Sequence, residues 1–333
     1  MNGHIHVLEW FSNSRYQFKY GNTAIDGASK YNRVDVLEWW KNSGYEFKYS
    51  GRSILDASCG GHVDVLEWWK NSKYKFKYNE TSLDWAAHHG HVNVLEWWKN
   101  SGYEFKYSDD AIHGASSGGH IDVLEWFKRN GYSMKTSNKG VLQYASQKGH
   151  VHILEWWKNS GYEFIYDTWS VNGVCYRKQT AVDVLEWWEN SGFELIYDKW
   201  AVNLASDTGC IDVLDWWKNS GHEFKYCKSA VNTASSHGHI NVLEWWKNSR
   251  YEFKYDSTAV QHASMNGHID VLEWWKNSGY QFKYSSWAFH WASKHNRTNV
   301  IDWFKHSGYS MTPGDKFKYD EYNTEDDYDY DDY

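Results

Sequence analysis

No run of eighteen apolar residues occurs in this 333-residue chain, which excludes an ordinary membrane-spanning helix. The opening stretch, Met1 to Trp10, has neither a basic segment nor an apolar core, so no secretory signal is expected there. Cysteine is scarce. Cys59, Cys175, Cys210 and Cys227 are scattered without CxxC spacing and read as reduced, structural thiols of a cytoplasmic protein. The sequons at Asn79 and Asn296 are then expected to stay unmodified. Basic excess is missing too. Residues 315–333 hold nine acids against two lysines, a net of −7 out of the formal −8, so the rest is nearly neutral. A neutral body argues against nucleic acid as a partner. No GxSxG, P-loop or dinucleotide-binding glycine motif is present, and paired carboxylates occur only in the tail. The expectation is a non-enzyme with no catalytic residues and no cofactor.

Aromatic side chains and repetition are what the chain has in excess. It carries 24 tryptophans, yet its mean hydropathy is −0.81, so a polar chain has much to bury. The segment GHVNVLEWWKNSGYEFKYS at residues 90–108 returns along almost the whole length. Its leucine falls at Leu8, Leu37, Leu66, Leu95, Leu124, Leu154, Leu185, Leu214, Leu243 and Leu272, with Ile301 in an eleventh copy. The interval is 29 residues, except for 30 before Leu154 and 31 before Leu185. A fixed period of this size predicts a solenoid whose units bury their faces against one another.

Within a unit, Val94, Leu95, Trp97, Trp98 and Ser101 share one side of a helical wheel, an apolar arc of roughly 160° at about 100° per residue. Glu96, Lys99 and Asn100 take the other side and read as a solvated face with modest pairing. Both tryptophans are expected in the core. Gly102 stops the helix, and Tyr103 to Tyr107 alternates with period two, an extended stretch with its rings inward. A shorter segment rich in Ala and Ser, such as Leu83–Ala87, predicts a short helix pressed on its neighbour. A Gly-His turn leads back to the long helix. Its histidines (His62, His91, His120, His150, His239, His268) are expected to bond nearby backbone. One repeat apart they lie about 10 Å from each other, too far to share a zinc held at about 2 Å, so no metal site is expected.

The stretch Leu83-Asp-Trp-Ala-Ala-His-His-Gly-His-Val-Asn-Val-Leu95 resembles the ankyrin repeat. The resemblance covers roughly residues 1–311 and implies an all-α, ankyrin-like helical-repeat solenoid with shortened β-fingers and about eleven repeats. This unit is four residues shorter than the family's usual 33, and the loss falls in the finger. The family's Thr-Pro-Leu-His opening is absent, and the only proline is Pro313. Two Trp stand where Leu-Leu is usual. Short, Trp-rich arrays of this kind are similar to those expanded in fungi, amoebae and large viruses.

Function is then expected where the copies differ. The resemblance implies a non-catalytic protein-binding scaffold or adaptor that presents a concave surface made by the short helix and finger. Two variable columns run there. The candidate contacts are Arg52, Asp110, Trp169, Trp200 and Trp287 from the first, and Trp85, Tyr144, His262 and Trp291 from the second. Aromatic anchors are the usual chemistry of binding hot spots. Extra packing between repeats is the alternative for these side chains. Two other functional readings compete: an adaptor working through the acidic, Tyr-rich tail at 312–333, expected to be disordered, and a carbohydrate or nucleic-acid binder that stacks on exposed Trp. Two irregularities are expected. Residues 173–182 lose the Gly-His turn and predict a distorted joint with Tyr176, Arg177 and Lys178 exposed. The first long helix keeps Val7, Leu8, Trp10 and Phe11 with no short helix before it. That face is expected to meet a partner, a second copy or missing repeats.

Overall fold

The computed structural model describes residues 4–14, 18–134, 140–163 and 165–309. The tail at 312–333 lies outside them. The described chain is all-α and divides into two compact units, 1–196 and 197–333, each a stack of short-helix, long-helix pairs. In the first unit such pairs are Arg52–Cys59 with Val63–Asn71, and Thr81–His88 with Val92–Asn100. In the second they are Lys199–Asp207 with Ile211–Asn219, and Ser229–Ser236 with Ile240–Asn248. Short helices pack on short helices because their inward positions are Ala and Ser; Ala57, Ala86 and Ala115 are wholly buried.

The tight turn between the two helices needs a backbone with positive φ. Gly61, Gly90, Gly119, Gly149, Gly238 and Gly267 all adopt it, as do the asparagines that replace glycine, Asn32 at 53° and Asn296 at 55°. Glycine has a second reason to be there. A Cβ on Gly61 would lie 2.8 Å from the ring of His91 in the next turn. That ring does not serve its own turn: His91 Nε2–H donates to the Cys59 carbonyl of the preceding repeat at 3.0 Å, and His62 reaches Lys30 likewise. In the last repeat Arg297 replaces the histidine and donates to the Met265 carbonyl at 2.9 Å.

The paired tryptophans take two different roles. Trp98 is fully buried, as are its counterparts Trp69, Trp188 and Trp275. Its indole N–H donates to Ser58 Oγ of the preceding short helix at 3.2 Å. Trp69–Ser29, Trp188–Ser146, Trp246–Ser206 and Trp275–Ser235 repeat that bond at 3.0–3.1 Å. Where the sequence offers Ala87 instead of serine, the ring forty residues on is Phe127, which has no N–H to satisfy. Trp217 Nε1 is buried without an acceptor.

Trp97 is only half-buried, and so is not core in the same sense. Its N–H donates to Glu67 on the preceding long helix at 2.8 Å. Trp68–Glu38, Trp126–Glu96, Trp245–Asp215 and Trp274–Glu244 follow suit at 2.6–2.8 Å. The recurring glutamate is therefore an inter-repeat acceptor, not merely part of a solvated face. The bond to Trp97 holds the Glu67 carboxyl below its ordinary range, helped by Asn71. Charge-assisted bonds of this kind are shorter and stronger than neutral ones.

The finger forms no strand among the described residues; it is an extended segment, unpaired by backbone. Its rings do the joining. Phe76 stacks on Tyr103 of the next repeat at 4.3 Å and lies against Trp97, while Tyr78 meets Trp98 at 4.6 Å. Tyr78 Oη–H then donates to the Glu104 carbonyl at 3.1 Å, and Tyr49, Tyr226 and Tyr255 do the same one repeat along. The shortened finger is thus replaced by an aromatic box.

The joint is where the sequence placed it. The helix Trp169–Asn172 passes into a 3-10 segment, Gly173–Thr180, interrupted at Arg177 with φ −128° and ψ 82°. Val174 is buried there, whereas Tyr176, Arg177 and Lys178 are exposed. In the first long helix, Ile5–Asn13, no residue is buried, and Trp10 is 58% exposed.

Two measurements check this account. Ser58→Ala should destabilise the array by about 1–3 kcal/mol, the cost of an orphaned buried donor. In a Trp98→Phe background the same change should cost about 1 kcal/mol less, read from denaturation midpoints as a double-mutant cycle. Amide hydrogen exchange should be faster at residues 176–180 than at the regular turn, residues 89–93; equal protection would refute a weak joint.

Candidate functional site

The first variable column falls on the opening turn of each short helix. There the backbone is fixed by a cap two residues earlier. The N–H of Arg52 donates to Ser50 Oγ at 3.2 Å, that of Asp110 to Ser108 Oγ at 3.2 Å, and that of Trp169 to Asp167 Oδ1 at 3.0 Å. In the second unit Trp200 is held by Asp198 at 2.8 Å and Trp287 by Ser285 at 3.3 Å. Ser and Asp caps satisfy helix-start donors that would otherwise be unbonded. The cap constrains the main chain and leaves the side chain of each column residue to vary.

The caps are themselves anchored by a column that sequence reasoning missed. Asp26 accepts from Ser50 N–H at 3.0 Å and from Ser50 Oγ–H at 2.6 Å; Asp84 treats Ser108 in the same way at 2.9 and 2.8 Å. Asn232 pairs with Asp256 in the second unit. These residues are nearly buried. Their signal was a polar residue set among the small residues of the short helix. Burial pushes the Asp84 carboxyl above its ordinary range despite its bonds to Ser108.

Placed on the structure, the candidates separate into exposed and packed members. Trp85, Tyr144 and Trp287 are 45%, 44% and 45% exposed, and Arg52 and Asp110 also face solvent. Trp169, Trp200, His262 and Trp291 are half-buried, so part of each ring serves packing. Trp287 and Trp291, four residues apart, come together with centroids 5.9 Å apart and planes at 27°, and Lys294 Nζ sits 4.5 Å from the Trp291 ring. Trp85 is flanked by its own helix's His88 and His89. Arg52, Trp85, Asp110, Tyr144 and Trp169 lie on successive short helices of the first unit, and Trp200, His262, Trp287 and Trp291 on short helices of the second. His89 Nδ1 also lies 3.7 Å from Cys59 Sγ, but among the described residues no group of three His, Cys, Asp or Glu could hold a metal ion. No described helix is long and apolar enough to cross a membrane.

The class of molecule these features define is a helical-repeat array that keeps its joints constant and varies one capped face. Residues 83–127 match the family model described as ankyrin repeats (many copies), which is consistent with the ankyrin-like reading of the repeat unit. A comparison with curated proteins gives no match. Among solved structures, the pentatricopeptide repeat protein PPR10 from maize aligns over 92% of this chain and 57% of its own, at 12% identity and TM-score 0.30. The same protein in complex with an 18-nt psaJ RNA element aligns over 92% and 56%, at 11% identity and TM-score 0.30. The chain thus spans little more than half the length of those structures, and scores this low do not extend the likeness to function.

Five buried or partly buried histidines, two of them in turns, give the array a pH dependence. Burial lowers His91 and His150 below the ordinary imidazole range, and does the same for His88, His113 and His262. A histidine lowered on folding favours the folded state while neutral, so stability is full above about pH 6.5 and falls as pH drops below it. Melting temperature should therefore decline from pH 7.5 to 5.5, before the carboxylates protonate. His91→Arg, which copies the natural Arg297 contact, should make the decline shallower.

Proposed function

We propose that this chain is a non-catalytic, cytoplasmic scaffold or adaptor that binds protein partners across the variable face of its short helices. The observation that carries this reading is the split between constant and variable positions. Residues that join the repeats recur in copy after copy, while the capped column beside them carries Arg52, Asp110, Trp169, Trp200 and Trp287 in turn. Trp85 and Tyr144 on short helices of the first unit, and Trp287 on a short helix of the second, expose large apolar rings. Exposed aromatics beside charged side chains match the anchors and polar rim of a protein interface. WW pairs such as Trp68/Trp69 and Trp97/Trp98 do not serve this role, because their N–H groups are already engaged between repeats.

Affinity capture from the cells that make the protein tests the reading. Trp85→Ala, Tyr144→Ala and Trp287→Ala together should abolish one or more captured proteins while lowering the melting temperature little. Arg177→Ala in the joint should leave capture unchanged. Capture of nucleic acid or glycans, sensitive to the same variants, would replace this reading with the stacking one. Capture unaffected by the three substitutions would overturn it.

A further inference from the structure

The two exposed tryptophan sites on the short helices differ in the charged residues that accompany them. Trp85 has histidines beside it, His88 and His89, but acids occur on its own and the adjacent short helices: Glu80 just before and Asp84 within its own helix, Asp56 on the preceding one, and Asp109 and Asp110 on the following one. Trp287 has none on its own helix, Ser286–Lys294, and none on the preceding short helix, Thr258–Asn266. Beside Trp287 instead are His290 and Trp291, and beside Trp291 are Lys294 and His295. The nearest acid on the long helix of that repeat, Asp302, is bridged to Lys305 at 2.7 Å. An aromatic pair with a cationic rim has formed here, and it suits a ligand that is both acidic and aromatic.

The chain itself contains such a segment. Residues 315–333 hold nine acids and five tyrosines, with Asp, Glu and Tyr closely interleaved from Asp320 onward. They follow directly on the last long helix, Thr298–Ser307, which pairs with the helix that carries Trp287 and Trp291. At about 3.3–3.6 Å per residue the chain after Tyr309 reaches up to about 80 Å, far more than one repeat requires. Tethering raises the effective concentration of such a segment to the millimolar range.

We propose that the acidic, tyrosine-rich tail docks in cis on the Trp287/Trp291 platform, its carboxylates pairing with Lys294 and the flanking histidines and its rings stacking on the indoles. Resting on the binding function proposed above, this contact makes the tail an internal competitor for one end of the partner face. Modification or displacement of the tail would open that end.

Zero-length carboxyl-to-amine crosslinking of the full chain, mapped by mass spectrometry, tests it. Mixed isotope-labelled and unlabelled copies separate contacts within a chain from contacts between chains. Tail acids should crosslink within the chain to Lys294 in preference to distant lysines such as Lys99 and Lys218. The preference should fall several-fold in Trp287→Ala/Trp291→Ala, which leaves Lys294 in place. It should also fall at about 1 M salt, where the screening length shrinks to about 3 Å. Trp85→Ala should leave it unchanged. Crosslinks spread evenly over the surface lysines, undiminished in the double variant, or formed only between copies would overturn the proposal. If partner capture depends on Trp287 while the tail shows no preference for Lys294, only the docking fails. If the tail docks and no partner depends on the variable face, the binding reading fails and the docking stands.

Discussion

Everything in this array depends on an indole N–H reaching back one repeat. A long helix with the tryptophan pair, such as Val63–Asn71 or Val92–Asn100, sends two of them in different directions. The buried ring of Trp98 donates to a serine hydroxyl at the end of a short helix, and the half-buried Trp97 donates to a carboxylate on a long helix. A large ring offers area to bury, about 150–250 Å² each, but its N–H must find an acceptor once water is removed. Placing the two acceptors on the two helices of the preceding unit fixes that unit's orientation as well as its distance. The double tryptophan therefore works as a two-point lock.

The lock explains how a unit of 29 residues can do without a full finger. Phe76 and Tyr78 lie over the same two indoles, and Tyr78 continues to the Glu104 carbonyl. Ring stacking and one side-chain hydrogen bond stand in for backbone pairing. Each repeat is thereby bound to the next by the turn histidine, the indoles and the finger tyrosine. With so many joints held by the same residue types, selection can leave the capped column free. Arg, Asp and Trp occupy it without disturbing the frame, because the cap engages only their backbone.

Much of this was legible in the residues. Period, helix limits, the inward rings of Tyr103 to Tyr107, the positive-φ turns and the irregular segment at 173–182 follow from local chemistry and repetition, and the structure agrees with them. The exposed glutamate of LEWW does pair modestly with its lysine, as Glu38 with Lys41 and Glu96 with Lys99, but its second partner is hidden from a wheel that shows only one helix. Seen alone, Glu96 points away from the apolar arc; stacked, it meets Trp126 of the next repeat. Trp97 was placed with the core for the same reason. The buried Asp26 and Asp84 went unnoticed because their partners, Ser50 and Ser108, lie 24 residues further on.

The sequence by itself determined that the chain is a repeat array, where each helix starts and stops, and which columns vary. These are consequences of periodicity and of backbone preferences within a few residues. Only the tertiary structure decided which atoms satisfy the buried donors, and which variable aromatics are anchors rather than packing. Trp200 and Trp287 occupy the same column, yet one is half-buried and the other exposed. The physical reason is that exposure and hydrogen-bond partnership depend on what the neighbouring repeat places opposite each residue.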